Sequence, residues 1–164
     1  MTQNIVLDLM NHDLDLACWL LGSPRAVTAH GLVSPKGGWD QVLAVLDYPQ
    51  ASAVVEGSAH MPLSFPFSTA LRVVCEGGAL DLNWVWSGDH PVSEIKLYPS
   101  QGEPSTLPFV PADPYETECR YFVDCLNGQA DPSLMDIQAA GKSLRVSLAV
   151  QQSLQQNGVS VVVE

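Results

Sequence analysis

The sequence is short of positive charge. Its 164 residues include 7 Lys and Arg against 18 Asp and Glu, so the net charge at neutral pH is −11. Proteins that bind nucleic acid or anionic membrane surfaces neutralise phosphate groups with Lys and Arg. This composition therefore argues against nucleic acid and against a membrane as partners.

Segments that direct a chain to or through a membrane are also missing. No stretch approaches the ~20 apolar residues that span a bilayer, and no signal-peptide pattern is present. The four cysteines, at positions 18, 75, 119 and 125, form no C-x-x-C pair and have no metal-ligand spacing. We therefore predict four reduced core cysteines, no metal site and a cytoplasmic location.

Nucleotide-binding glycine loops are absent as well. The glycine pairs at 37–38 and 77–78 are not placed between a strand and a helix, as a dinucleotide-binding loop requires. The chain carries no G-x-S-x-G motif and no Cys–His nucleophile signature. We expect it to bind no cofactor by itself.

The most informative segment is the apolar stretch 5–21, which ends at Gly22-Ser23-Pro24, a combination typical of a helix end. On a helix, Asp8, His12 and Asp15 share one face because they are spaced i, i+4 and i+7. Asn11 lies beside them. The pattern predicts a polar stripe on a helix that is otherwise buried.

Two interpretations of this stripe remain open on spacing alone. In the structural one, Asp8 and Asp15 complement the positive helix N-terminus and His12 is a core histidine with its hydrogen bonds satisfied. In the functional one, a carboxylate one turn before His12 orients the imidazole and raises its basicity for general acid–base catalysis.

The middle of the chain predicts a meander of strands separated by turn residues. Short connections favour antiparallel pairing. Two strands are apolar on both faces, so we expect helices to cover one sheet face and something else to cover part of the other. The alternative is a well-packed single-chain core with a few exposed apolar residues. The predicted strands are 26–33, 41–48, 52–60, 69–76, 79–86 and 94–98, with a last strand at 159–163.

Two helices are predicted after the meander. Asp113, Pro114 and Glu116 occupy the N-cap, N1 and N3 positions of a helix that ends at Gly128, with Tyr115, Cys119, Phe122 and Leu126 inward. The second begins near Ser133 and stops at Asn157-Gly158. Its predicted inward residues are Ile137, Ala140, Leu144 and Leu148. The fold class is α+β, a single domain over residues 1–164, with a mostly antiparallel open sheet and helices on one face.

The run from Leu7 to Gly22 resembles the D-x-x-x-H-x-x-D…W-L-x-G segment of the glucose–fructose oxidoreductase/inositol dehydrogenase (Gfo/Idh/MocA) family. Similar pieces follow in the family's order. They are Leu71-Arg72-Val73 with 76–80, the Y-x-x-E-x-x-x-F run from Tyr115 to Phe122, and Ser153 with Gly158-Val159. The resemblance is to the family's C-terminal, substrate-binding domain. The N-terminal dinucleotide-binding domain and the Lys of an E-K-P-like motif have no counterpart here.

The resemblance implies a function for the stripe. His12 would be the catalytic acid–base and Asp8 its orienting carboxylate, with Asn11 and Asp15 as substrate-binding residues. The full enzyme would oxidise a secondary alcohol of a sugar or polyol with NAD(P), and this chain would be inactive alone. The family's association through the open sheet implies a homo-oligomer. The alternative is a non-catalytic oligomerising or sugar-binding module.

Overall fold

The computed structural model describes residues 4–35, 37–87, 90–108 and 112–163. Their contacts divide the chain into two compact units, residues 1–61 with 132–164 and residues 62–131. The helices are α1 (Ile5–Asp8), α2 (Met10–Leu21), α3 (Pro114–Leu126) and α4 (Ile137–Gln155), with a 3-10 helix at Pro132–Met135. The strands are β1 (Ala26–Val33), β2 (Trp39–Asp47), β3 (Ser52–Ser58), β4 (Ser68–Cys75), β5 (Gly78–Ser87), β6 (His90–Pro99), β7 (Ser105–Leu107) and β8 (Val161–Val162).

The first unit is a four-stranded antiparallel sheet in the order β3-β2-β1-β8. Side chains alternate between its two faces. One face packs against α1, α2 and α4 and forms the hydrophobic core, whose sheet residues include Val27, Ala29, Val42, Ala44, Leu46 and Val55. The other face is open to solvent, although it carries several valines and leucines.

The inward face of α4 differs from the prediction. Ile137, Leu144 and Leu148 are exposed. The buried face instead consists of Ser143, Val146, Ser147, Ala149, Val150, Ser153 and Leu154. Small side chains let α4 approach the sheet and α2 closely, and a serine hydroxyl can be buried when a carbonyl of the preceding turn accepts its hydrogen bond. Ser147 does this with Ser143 O at 3.0 Å.

Helix α4 ends where the sequence predicts. Asn157 adopts φ 56° and Gly158 φ +85°, and the amide of Gly158 donates to Ser153 O at 2.9 Å while that of Asn157 donates to Leu154 O at 3.2 Å. These are the two hydrogen bonds of a Schellman motif. Helix α4 begins at Ile137, later than the predicted start near Ser133. Asp136 is its N-cap and accepts a hydrogen bond from the Gln138 amide at 2.9 Å.

The second unit is an antiparallel sheet in the order β4-β5-β6-β7. Leu80, Leu82 and Trp84 lie on one face of β5 because side chains alternate along a strand. Trp84 packs edge-to-face against Phe67, with the two ring centroids 5.8 Å apart. On the other face Arg72 donates to Asp81 at 2.9 Å, which lowers the pKa of that carboxyl.

Helix α3 belongs to this second unit. Its predicted cap is confirmed, since Asp113 accepts from the amides of Tyr115 and Glu116 at 2.9 and 3.0 Å. Its predicted inward face is wrong for the part of the chain described here, because no residue of α3 is buried.

The α+β class, the antiparallel pairing and helices on one face of a sheet are confirmed. The strands form two sheets of four, however, whereas the sequence predicted one sheet of about six. The four cysteines are free, but Cys75 and Cys119 are exposed and the other two only partly buried, so the core location was wrong. Within the described ranges no helix is long and apolar enough to cross a membrane.

Candidate functional site

The predicted polar stripe lies on two short helices, not on one. Helix α1 ends at Asp8 and α2 begins at Met10. Leu9 between them keeps αR dihedral angles, and its amide still donates to Ile5 O at 3.0 Å, whereas the His12 amide reaches only to Leu9 O at 3.4 Å. The helical hydrogen bonding is therefore weakened in the turn between Asp8 and His12, although the backbone there keeps helical dihedral angles.

Burial of the opposite side orients these helices. Met10, Leu14 and Ala17 are buried and are spaced i, i+4 and i+7, so they define the inward face. Met10 packs directly on Gly57 of β3, where an added Cβ would lie 2.3 Å from Met10 Cγ. The absence of a side chain at Gly57 sets how closely α2 approaches the sheet.

Asp8, His12 and Asp15 are all exposed on the outward side. The stripe is therefore not buried, and His12 is not a core histidine. Among the described residues, no ion pair within 4.0 Å joins His12 to a carboxylate. The three groups therefore form an open, hydrated array that a bound ligand or a covering domain could desolvate.

Asn11 has a structural contact. Its Oδ1 lies 2.9 Å from the hydroxyl of Ser147, which is buried on α4. This hydrogen bond joins α2 to α4 beside the stripe and fixes the rotation of α2, which in turn decides the direction of its outward face.

Asp13 is a residue to which the sequence gave no role. It is partly buried, unlike its three acidic or basic neighbours on the stripe. Burial raises the pKa of the Asp13 carboxyl, and the nearby charge of His12 opposes that rise. Asp13 is therefore a carboxylate whose pKa depends both on its burial and on the charge of His12. The signal in the sequence was its position next to His12, which spacing rules on one helix face do not capture.

Trp19 was likewise assigned no site role. It follows Asp15 by four residues and His12 by seven, so it continues the outward stripe, and its side chain is 72% exposed. The stripe thus combines a histidine, two carboxylates and an exposed indole, which is a set of groups suited to a polyhydroxylated ligand with apolar C–H faces.

Two shallow hollows lie away from these residues. A shallow groove of about 510 Å³ runs between the outer side of α4 and residues 160–163, and a second of about 150 Å³ lies beside His30 and Trp39. None of the four predicted site residues lines either one. Within the described ranges, no three His, Cys, Asp or Glu side chains are grouped to hold a metal ion.

The glycines do not fit a dinucleotide. Gly37 and Gly38 connect β1 to β2, and Gly77 and Gly78 connect β4 to β5. Both pairs lie in β-hairpins, whereas a pyrophosphate cradle needs a glycine loop leading from a strand to a helix N-terminus.

Solved oxidoreductases share this fold. The chain superposes on oxidoreductase yvaA from Bacillus subtilis with a TM-score of 0.73 at 18% identity, covering 99% of this chain and 53% of that one. An aldose-aldose oxidoreductase from Caulobacter crescentus, solved with glycerol, gives 0.75 at 17% identity and coverages of 98% and 48%. An oxidoreductase from Agrobacterium radiobacter, solved with NAD+, L-tartaric acid and magnesium, gives 0.64 at 20%, with 97% and 49% covered.

The chain thus spans about half the length of these oxidoreductases. No curated protein is significantly similar to it in sequence. Residues 2–81, which contain the whole polar stripe and the first four strands, match the family described as the GFO/IDH/MocA C-terminal domain. About half of the chain is thus similar to the GFO/IDH/MocA C-terminal domain family, and nearly its full length has the fold of these solved oxidoreductases.

Proposed function

We propose that this chain is the substrate-binding half of an NAD(P)-dependent oxidoreductase that acts on a secondary alcohol of a sugar or polyol. The observation that carries the proposal is the outward stripe of Asp8, His12 and Asp15 within the family-matched segment. The ligands solved with two similar structures, glycerol in one and NAD+ with L-tartaric acid in another, support a polyhydroxylated substrate.

The residues have distinct roles in this proposal. His12 accepts the hydroxyl proton of the substrate as the carbonyl forms, and Asp8 orients the imidazole. Asp15 and the accessible part of Asn11 hydrogen-bond further substrate hydroxyls. Hydride chemistry belongs to the nicotinamide cofactor, which the hairpin glycines of this chain do not fit, so the isolated chain binds no NAD(P) and has no turnover. We also propose a cytoplasmic location, because the four cysteines are free thiols.

Substrate binding is tested by NMR titration of the isolated chain. Glycerol, myo-inositol, sorbitol and glucose are added to the ¹⁵N-labelled protein, and saturable shifts of the residue 11–19 amides are expected at millimolar ligand. His12→Ala should weaken binding several-fold, whereas the control His60→Ala, at another exposed histidine, should not. Shifts confined to other elements, or unchanged by His12→Ala, would contradict the proposed site.

Cofactor binding is tested separately by calorimetry with NAD and NADP, followed by a nicotinamide-fluorescence assay over the same polyols. We expect no heat of binding and no reduced nicotinamide. Micromolar affinity for either nucleotide, or turnover that His12→Ala abolishes, would show that the chain is a complete enzyme.

The second candidate function, a self-associating module, is favoured by the open sheet face of the first unit. Val54 and Leu32 are 65% and 62% exposed there, and Leu43, Val45 and Val162 are exposed beside them. We expect a homodimer through this face. Sedimentation equilibrium should give a dimer mass at tens of micromolar, and Val54→Lys should return the monomer. A monomer mass for the unaltered chain would exclude this function.

A further inference from the structure

Strand β8 is the outer strand of the first sheet, and its outer edge is open. Just beyond β8 the amide of Val163 donates to Arg25 O at 3.0 Å, toward β1. Because residues along an antiparallel strand alternate in the side to which their N–H and C=O groups point, those of Ser160 and Val162 point away from β1. Among the described residues, no strand pairs with this edge, so both residues present backbone groups that a further strand can pair with.

The groove of about 510 Å³ lies directly beside this edge. Ala149 of α4 and Val161 of β8 line it and are buried, so they form its floor. Leu148, which is 49% exposed, adds an apolar wall, and Gln152 and Gln156 add amide groups. An extended segment along β8 would direct every second side chain into this groove, since side chains alternate along a strand.

The length of the groove suits a short segment. Residues 160–163 span about 10 Å as a strand, and α4 advances about 16 Å from Arg145 to Gln156, so about four or five extended residues fit beside them. Strand β8 follows α4 after a tight turn and runs back along it. Gln156 is therefore next to Ser160 at one end of the groove, and Arg145 lies at the other.

Arg145 is one of two cations on α4 that have no carboxylate partner in the described part of the chain. Of the seven Lys and Arg residues, Lys36 lies outside the described residues. Four pair with a carboxylate, namely Arg25, Arg72, Lys96 and Arg120. Lys142 and Arg145 remain. The Nη1 of Arg145 lies 3.6 Å from the position that a Cβ of residue 141 would occupy, so this guanidinium lies over Gly141 and keeps N–H donors for a ligand.

The charge of Arg145 determines which residue the groove selects at this end. The chain carries a net charge of −11, so basic segments are attracted to its surface in general and acidic ones are repelled. An acidic side chain placed at Arg145 gains a charge-assisted, bidentate hydrogen bond that the rest of this acidic surface does not offer. Recognition of an acidic residue therefore depends on this contact.

We propose that the groove between α4 and β8 binds an extended segment of another protein, which adds to β8 as an antiparallel strand. The side chains that face the groove are, in order, acidic, apolar and small polar. The acidic one pairs with Arg145, the apolar one covers Leu148, and the last contacts the amide of Gln156. The two residues between them hydrogen-bond the backbone of Val162 and Ser160. None of the polar-stripe residues lines this groove, so the inference is independent of the oxidoreductase function.

NMR titration of the ¹⁵N-labelled chain with the peptide Ac-Glu-Thr-Val-Thr-Ser-NH2 tests the site. We expect saturable shifts of the Ser160, Val162 and Gln152 amides, with a dissociation constant below about 1 mM. The same peptide with Lys in place of Glu should bind at least about fivefold more weakly. N-methyl groups on its second and fourth residues remove the N–H groups that face β8 and should abolish the shifts, whereas N-methyl groups on its third and fifth residues should change affinity less than about twofold.

A charge reversal tests the contact with Arg145, whose side chain is exposed. Arg145→Glu should weaken binding of the Glu peptide at least about fivefold and should make the Lys peptide the tighter ligand. Lys142→Glu is the matched control, because it makes the same charge change on the same helix at an exposed residue that does not line the groove. Its effect on the dissociation constant should stay below about twofold at physiological salt.

Several outcomes would overturn the proposal. One is the absence of saturable shifts at about 5 mM peptide. Equal effects of the two N-methylation patterns would show that no strand is added, and equal effects of Arg145→Glu and Lys142→Glu would show only general attraction. Shifts of the Ser160 and Val162 amides on dilution without peptide would show that a second copy of the chain occupies the edge instead.

Discussion

The hydroxyl of Ser153 on α4 accepts a hydrogen bond from the amide of Ala29 on β1 at 2.9 Å. The same hydroxyl donates to Val159 O at 2.7 Å. In the register of β1 and β8, where Val27 is opposite Val161, the next inward-directed pair would be Ala29 and Val159. The β1–β8 pairing does not extend to these two residues. The Ser153 hydroxyl takes its place by hydrogen-bonding both the Ala29 amide and the Val159 carbonyl.

Removal of this hydroxyl should destabilise the fold. Ser153 is fully buried, so Ser153→Ala leaves the Ala29 amide and the Val159 carbonyl without a partner, at a cost of about 1–3 kcal/mol. Urea unfolding measures it, and Ser160→Ala, at an exposed serine nearby, should change stability by less than about 0.5 kcal/mol. Equal effects at the two sites would show that the bridge contributes nothing.

The contact of α2 with β3 predicts a paired effect. Gly57→Ala places a methyl group 2.3 Å from Met10 Cγ and should cost about 1–3 kcal/mol through overpacking. Met10→Ala removes that contact, so the added cost of Gly57→Ala should largely vanish in the double variant. Gly77→Ala is the matched control, since no atom lies within 4 Å of its Cβ position. Additive losses at 57 and 10 would contradict the predicted contact.

The buried hydroxyl of Tyr48 should make the free energy of unfolding fall at alkaline pH. Its side chain is 4% exposed, and its hydroxyl has no hydrogen-bond partner among the described residues. Burial, and then the charge of Cys18, raise the pKa of Tyr48 to about 12, whereas an unfolded tyrosine titrates near 10. The native state therefore holds the proton longer, and stability should fall by about 2–3 kcal/mol as the pH rises from about 10 to 12.

The variant Tyr48→Phe isolates this effect. It should be as stable as the unaltered chain at pH 7, or slightly more stable, and should lack the Tyr48 part of the loss between pH 10 and 12. Tyr115→Phe, at an exposed tyrosine, keeps the full loss. If thermal unfolding at pH 8, 10, 11 and 12 gave identical profiles for Tyr48→Phe and the unaltered chain, the burial of that hydroxyl would not affect stability.

The position of Asp13 beside His12 predicts that the pKa of Asp13 depends on the charge of residue 12. Burial raises the pKa of Asp13 and the charge of His12 lowers it, so His12→Gln should raise that pKa further in a ¹³C NMR titration of the carboxyl. The control His60→Gln should not. Because the folded pKa is raised, the contribution of Asp13 to stability is greatest at low pH and is lost as the pH rises through that value. Asp13→Asn should remove that loss, and an unchanged pH profile would contradict it.

Much of the fold follows from local patterns. Caps at Asp113 and Asp136, the Asn157-Gly158 stop and the turns between strands are decided by short-range hydrogen bonds and backbone dihedral preferences. The alternation of strand side chains is equally local: it places Val42, Ala44 and Leu46 together on one face of β2, and the structure shows that this face is the buried one. The order of the motifs likewise indicated the family before any contact was known.

The sequence could not indicate which side of α4 is buried. Ile137, Leu144 and Leu148 form the more apolar stripe, yet the fold buries Val146, Val150 and three serines instead. Helix packing selects the face with small side chains, because they allow close approach, and the serine hydroxyls bond to local carbonyls or bridge the sheet. Hydropathy along one helix contains no information about such long-range partners.

The candidate site also has some features that follow from the sequence alone and others that only the tertiary structure decides. Spacing alone determined that Asp8, His12 and Asp15 lie on one side of the first helical segment, since 3.6 residues per turn fixes it. Only the tertiary structure decided that this side faces solvent, because Met10, Leu14 and Asn11 anchor the other side to β3 and α4. Only the tertiary structure, too, decided that Asp13 beside His12 is partly buried, since burial depends on residues distant in sequence.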